Sequence, residues 1–148
     1  MRMQPRAPRR GERGAASVEF VVIVPALLLI IGLVIAGGRL AHARSTVQQL
    51  ADSAARSASI ARDAASARSN ALEVIRSDAA AAGLRCSGGL DHVLDVSGFA
   101  AGIGRGAEVR VDVRCGVTLG DLLVAGLPGT WLVEATATSA IDRYRGRR

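Results

Sequence analysis

The feature that most constrains this chain is a run of 19 residues, from Phe20 to Gly38, that contains no charged side chain. As an α-helix rising about 1.5 Å per residue, this run would be about 28 Å long, close to the ~30 Å hydrocarbon core of a bilayer. A helix of this length in a soluble core normally keeps a polar face. The run therefore predicts a transmembrane helix, and Pro25 is expected to bend it near Val21.

Arginine residues flank the run unevenly. Residues 1–14 carry five arginines and one glutamate, whereas only Arg39 and Arg44 follow closely on the other side. Because positive charge favours the cytoplasmic side, we expect the orientation N-in, C-out. A secretory signal peptide is the competing interpretation, since a small-x-small site follows around residues 35–37, but its apolar region usually spans only ~7–15 residues.

The net charge of +6 does not predict nucleic-acid binding, because the positive charge lies at the two ends of the chain. Residues 15–142 carry 10 arginines against 12 acidic residues, so the body of the chain is slightly acidic. One Trp, one Tyr and two Phe offer no platform on which bases could stack. A broad basic surface for a phosphate backbone is therefore not expected.

One carboxylate, Glu19, stands at the entrance of the apolar run in the stretch "RGERGAASVEF". A carboxylate at the edge of a membrane helix either extends to the interface or has a functional partner. If the chain were cut after Gly14, the new α-amine of Ala15 would be positively charged. In a packed assembly of such helices, Glu19 of one subunit could neutralise that amine in its neighbour and fix the axial register.

These residues resemble the leader of type IV pilin precursors, which has a basic segment, a Gly at the cut and a Glu at the fifth mature position. Here Gly14 would precede the cut, and the pair Glu19-Phe20 is most similar to the tight-adherence (Flp) branch. The continuation through Pro25 resembles the TadE-like pseudopilin family over about residues 11–58. The features that carry this resemblance are the VEF triplet, the internal proline, and Gly32 with Arg39 after it.

The resemblance implies a minor pilin or pseudopilin of a tight-adherence pilus, processed by a prepilin peptidase. Its expected partners are other pilin subunits, the pilus assembly platform and the plasma (inner) membrane, with entry into an extracellular pilus after processing. The expected segments are a cytoplasmic leader (1–14), a transmembrane segment (15–38) and an extracytoplasmic domain (39–148). The alternative is an uncleaved, single-pass membrane anchor that presents an extracytoplasmic interaction domain.

The Ala-rich segment from Arg39 to about Gly83 predicts further helix, interrupted and restarted by a capping box at Asn70 and Glu73. The helix is expected to stop at Gly83. One narrow apolar stripe recurs at helical spacing and would contact either the domain's own sheet or partner subunits. It consists of Leu40, Val47, Leu50, Ala54, Ala58 and Ala61.

Three later segments alternate apolar and polar residues and predict strands, at positions 90–97, 108–114 and 133–142. Such a sheet needs a cover on its apolar face, and the preceding helix is the natural one. We therefore expect an α+β fold, in which a long N-terminal helix packs on a small antiparallel sheet. The resemblance to pilins implies the same plan.

The two cysteines, Cys86 and Cys115, would lie in an oxidising compartment, which favours a disulfide over two free thiols. Two thiols without suitably spaced histidines do not form a tetrahedral metal site, so neither a metal nor a cofactor is expected.

His42 and His92 lack a nucleophile and an orienting acid, and no catalytic residue is predicted. The glycine-rich stretch 102–106 precedes a strand rather than a helix and predicts a turn. The apolar insertion 120–131 either fills the core or faces a partner.

Overall fold

The computed structural model describes residues 15–101, 105–118 and 129–142, with side chains from Phe20 onward. The predicted leader, the arginine-rich C-terminal segment and most of the insertion 120–131 lie outside these residues. The order of elements confirms the predicted α+β class with a long N-terminal helix and a small antiparallel sheet. The elements are α1 (Ala15–Ser59), α2 (Ala64–Ala81), β1 (Ser87–Asp95), a 3-10 helix (Ser97–Ala100), β2 (Ala107–Thr118) and β3 (Thr130–Ile141).

The three strands form an antiparallel sheet in the order β1-β2-β3, and β2 is the central strand. Each strand overlaps the segment predicted from alternation. Strand β2 extends beyond its predicted segment at both ends, and β3 begins earlier than predicted. The alternation sets the two faces, because Val109, Val111 and Val113 are fully buried while Arg110 and Arg114 are exposed. One face of the sheet is therefore core and the other is solvated.

Helix α1 has two halves with different surfaces. From Phe20 to Ile35 its large aliphatic side chains are exposed, whereas from Ala43 onward one stripe of mostly small residues is buried. The predicted stripe lies in the core, apart from Leu40, which is half-buried. It packs against the sheet and α2 of the same chain, because small side chains let the backbones approach closely.

Helix α2 covers the same core from the side. Ala67, Ala71 and Ile75 are its buried residues, and they belong to the cluster formed by α1 and the sheet. The hydroxyl of Ser53 on α1 donates a hydrogen bond to the Asp78 carboxylate near the end of α2, at 3.0 Å. At the far end of α1, the hydroxyl of Ser59 accepts a 2.9 Å hydrogen bond from Ser139 on β3.

The predicted helix restart at Asn70 and Glu73 is wrong, because both residues lie inside α2. The interruption falls at residues 60–63, and Asp63 is the N-cap of α2. One oxygen of the Asp63 carboxylate accepts a hydrogen bond from the Ser66 backbone N–H, and the other accepts one from the Ser66 hydroxyl, both at 2.8 Å. This double contact satisfies an N–H group that the helix itself leaves unpaired.

The end of α2 confirms the predicted stop at Gly83. Gly83 has a φ of +61°, a left-handed conformation that glycine adopts without steric cost. The Leu84 N–H donates to the Ala79 carbonyl at 3.0 Å, and the Gly83 N–H donates to the Ala80 carbonyl at 3.1 Å. This pair of bonds is the Schellman pattern, which turns the chain towards β1.

The Asp63 cap makes a testable contribution to stability. Asp63→Ala is expected to lower the melting temperature at neutral pH, while Asp63→Asn, which keeps an acceptor, should lower it less. Hydrogen bonds from the Ser66 N–H and then the Ser66 hydroxyl lower the pKa of Asp63 below 3.8. Since the folded-state pKa is depressed, this stabilisation is present above pH 3.8 and is lost as the pH falls through the lower, folded-state value.

Thermal unfolding of the full chain, followed by circular dichroism at neutral and acidic pH, measures this contribution. The difference between the wild type and Asp63→Ala should shrink on acidification. Equal melting temperatures of wild type and Asp63→Ala at neutral pH would contradict the assignment of the cap.

Candidate assembly site

The largest exposed apolar surface among the described residues is the N-terminal half of α1. Almost every large side chain there faces outward, and Phe20 is 70 % exposed. Such a surface is far larger than a soluble monomer normally leaves uncovered. The exposed residues are Phe20, Val21, Val22, Ile23, Val24, Leu27, Leu28, Leu29, Ile30, Ile31, Leu33, Val34 and Ile35.

Two of the residues predicted to direct assembly, Phe20 and Pro25, lie at the start of this surface. Gly14 is outside the described residues, and Ala15 is the first residue of α1. Glu19 lies in the helix backbone, but its side chain is outside the described part. Phe20 is exposed beside it, and Pro25 is inside α1. The bend predicted at Pro25 and the pairing of Glu19 with an amine stay predictions.

The apolar half of α1 joins the domain without an irregular linker. Helix α1 runs unbroken through the predicted segment boundary at residues 38 and 39. From Phe20 onward, Ala36 is the first buried residue along it, and Arg39 is the first charged residue after the apolar run. Within the described residues, α1 is the one helix long and apolar enough to cross a membrane, and it is a candidate membrane anchor.

A disulfide between Cys86 and Cys115 holds the segment after α2 to the central strand, as the sequence predicts. The sulfur atoms are 2.06 Å apart and the Cα atoms 5.1 Å apart. Cys115 is fully buried and Cys86 is half-buried. The bridge sits next to the bulge between Ser87 and Leu90, where β1 joins the sheet.

The solvated face of the sheet carries an ordered array of charges. The Nε of Arg110 lies 3.2 Å from Asp112, and the Nε of Arg114 lies 3.2 Å from Glu134. A hydrogen bond from the Thr136 hydroxyl, followed by those from Arg110, lowers the pKa of Asp112. Exposed ion pairs of this kind contribute little to stability, and this face of the sheet is a solvated surface.

The described residues show no constellation for metal chemistry. Among residues 15–101, 105–118 and 129–142, no group of three or more His, Cys, Asp or Glu side chains could hold a metal ion. His42 lies on α1 and His92 on β1, as predicted, and both are exposed. The glycine-rich stretch lies partly outside the described residues, and Gly106 precedes β2.

The structure also forms a cleft that the sequence did not predict. It has a volume of about 310 Å³ and lies where α1 leaves its apolar half. Arg39 and His42 from α1 line it together with Arg85, which follows α2, and with Val117 and Thr118 at the end of β2. Arg39 and Arg85 are far apart in sequence, so only the folding of α2 back along α1 brings them together.

Comparison with known proteins supports the resemblance seen in the sequence. Residues 14–56 match the family described as TadE-like protein. The matched range covers most of α1, while α2 and the sheet lie outside it. A TadE-like segment associates the chain with the Tad pilus and its assembly. Neither a curated protein nor a solved structure matches the chain.

The disulfide is expected to decide the stability of the domain. Replacing both Cys86 and Cys115 with Ala opens a loop of about 30 residues, and should lower the free energy of unfolding by roughly 3–4 kcal/mol. Denaturant unfolding of the full chain in detergent measures the loss. A reducing agent should destabilise the wild type similarly and leave the double variant unchanged. A wild type that is insensitive to the reductant would contradict this role.

Proposed function

Because residues 14–56 carry the TadE-like segment, we propose that this chain is a minor pilin or pseudopilin of a tight-adherence pilus system. In this proposal a prepilin peptidase cuts the chain between Gly14 and Ala15. The mature subunit stays in the inner membrane N-in, C-out, and then enters or caps a filament. Its role is structural and needs neither a cofactor nor a catalytic residue.

The observation that carries this proposal is the division of α1 into two halves. An exposed aliphatic half needs a cover of lipid or of neighbouring helices, and a buried half is already covered by the domain. A subunit built this way can stay in the bilayer before assembly. It can then exchange lipid for the apolar helices of its neighbours in a filament, because both environments are equally free of water.

In the proposed assembly, a pair of opposite charges sets the axial register between neighbouring subunits. Cleavage after Gly14 would place a positive α-amine at Ala15, four residues before Glu19, and both charges are costly where water is excluded. Between subunits, a Glu19 carboxylate that meets the amine of its neighbour neutralises both charges at one axial offset. Other offsets leave the charges apart.

The cleavage site can be tested by mass spectrometry of the mature N-terminal peptide from isolated membranes. The wild type should begin at Ala15. Gly14→Val should accumulate as the uncut precursor, because the peptidase must bring the backbone at the cut into its active site. Gly11→Val, the same change three residues earlier, serves as the matched control and should be processed normally.

A cut after Gly11 would put Ala16, rather than Glu19, at the fifth mature position and would contradict the assigned site. A mature protein that retains Met1 would instead favour the alternative of an uncleaved anchor that presents an interaction domain.

The register role of Glu19 is tested separately from cleavage. Glu19→Gln keeps the size of the side chain but removes its charge. We expect normal processing and a loss of this subunit from sheared filaments, measured by immunoblotting of filament and membrane fractions. Glu73→Gln, the same change at an exposed position of α2, should leave assembly unchanged. Normal incorporation of the Glu19 variant would refute the charge-pair argument.

A further inference from the structure

The cleft between the end of α2 and the first domain turn of α1 is positively charged. Among the described residues, its lining includes Arg39, His42 and Arg85 and no acidic residue. All three side chains are exposed, and none has a hydrogen-bond or ion-pair partner among the described residues. Their donors therefore point to solvent-accessible space and are available to an anion.

The two arginines are positioned at this cleft by different elements of the fold. Arg39 is held on α1 at the end of the apolar run. Arg85 lies between the Schellman turn at Gly83 and Cys86, whose disulfide to Cys115 anchors this segment to β2. Because both segments are anchored, the fold holds two guanidinium groups beside one cavity. Guanidinium groups bind phosphate oxygens with strong, charge-assisted hydrogen bonds.

The same end of the domain exposes apolar side chains. Trp131 pairs with Val117, which lines the cleft, and Leu132 follows it on β3. Trp131 is 53 % exposed and Leu132 is 58 % exposed. Tryptophan beside basic residues is typical of the membrane–water interface, where an amphipathic ring lies at headgroup level. The opposite end of β3, where Ser139 contacts Ser59, is about eight residues along the strand from Trp131 and therefore at the other end of the domain.

We propose that this cleft binds the phosphate of an anionic phospholipid headgroup in the leaflet from which α1 emerges. Arg39 is the first charged residue after the apolar run, so the cleft lies at headgroup depth when α1 spans the bilayer. Trp131 and Leu132 then rest on the interfacial region beside the bound headgroup. The inference depends on the proposed membrane insertion of α1, but not on cleavage at Gly14.

Native mass spectrometry of the full chain tests the inference, using micelles that contain equal amounts of phosphatidylglycerol and phosphatidylcholine. The wild type should retain phosphatidylglycerol preferentially. Arg39→Gln and Arg85→Gln should each reduce the preference about fivefold, the effect expected of one arginine near an anionic lipid surface. Arg85→Lys, which keeps a positive charge, should retain part of it.

Arg44→Gln is the matched control, since Arg44 is an exposed arginine on the same helix that does not line the cleft. It should keep the wild-type preference. An equal loss in Arg44→Gln and Arg85→Gln would overturn the cleft in favour of a general attraction between basic side chains and the membrane. Displacement of the lipid by inorganic phosphate would overturn the lipid assignment in favour of a soluble anion.

Two further results separate this inference from the proposed function. If Arg85→Gln only lowered the melting temperature, with the lipid preference intact, Arg85 would merely complement the C-terminal end of α2 and the inference would fail. Alkaline extraction of membranes reports on α1 independently of the cleft. Protein that resists extraction but shows no lipid preference refutes the cleft alone, whereas extracted protein refutes the membrane insertion on which both rest.

Discussion

The packing of small side chains along the second half of α1 is the contact on which the rest of the structure depends. Ala51, Ala54 and Ala58 are fully buried against the sheet and α2, and their small size brings the backbones close. Ile75 of α2 belongs to the same buried cluster, and Leu50 of α1 is also buried. The domain therefore has no core of its own without this helix.

This dependence explains why the apolar half of α1 and the domain form one continuous element. The family match covers most of this helix, which supplies the candidate membrane segment and one wall of the core. The sheet and α2 lie outside the matched range and supply the remaining walls of the core together with the polar face of the sheet. The polar face around Arg110 and Arg114 is exposed to solvent.

The sequence predicted those elements whose apolar residues follow a short, regular pattern. Alternation in "EVRVDVR" identified β2 and its buried valines, and the uncharged run identified the exposed half of α1. The break between the helices was misplaced because Asn70 and Glu73 imitate a capping box within a stretch that favours helix throughout. The true cap, Asp63, binds the Ser66 hydroxyl as well as its N–H, and the D-x-x-S spacing was the signal that could have identified it. The basic cleft could not be predicted, since Arg39 and Arg85 meet only through the tertiary path of α2.

The unbroken course of α1 has a mechanical consequence. Between the last exposed aliphatic residues and the first buried alanines, the backbone keeps its helical hydrogen bonds and offers no slack that could lengthen under load. If α1 spans the bilayer as proposed, tension applied to the domain reaches the apolar half of α1 along the helix axis. An inserted subunit of this kind would transmit force as a rigid body. It would leave the lipid as one unit, because no flexible linker between the helix and the domain could extend first.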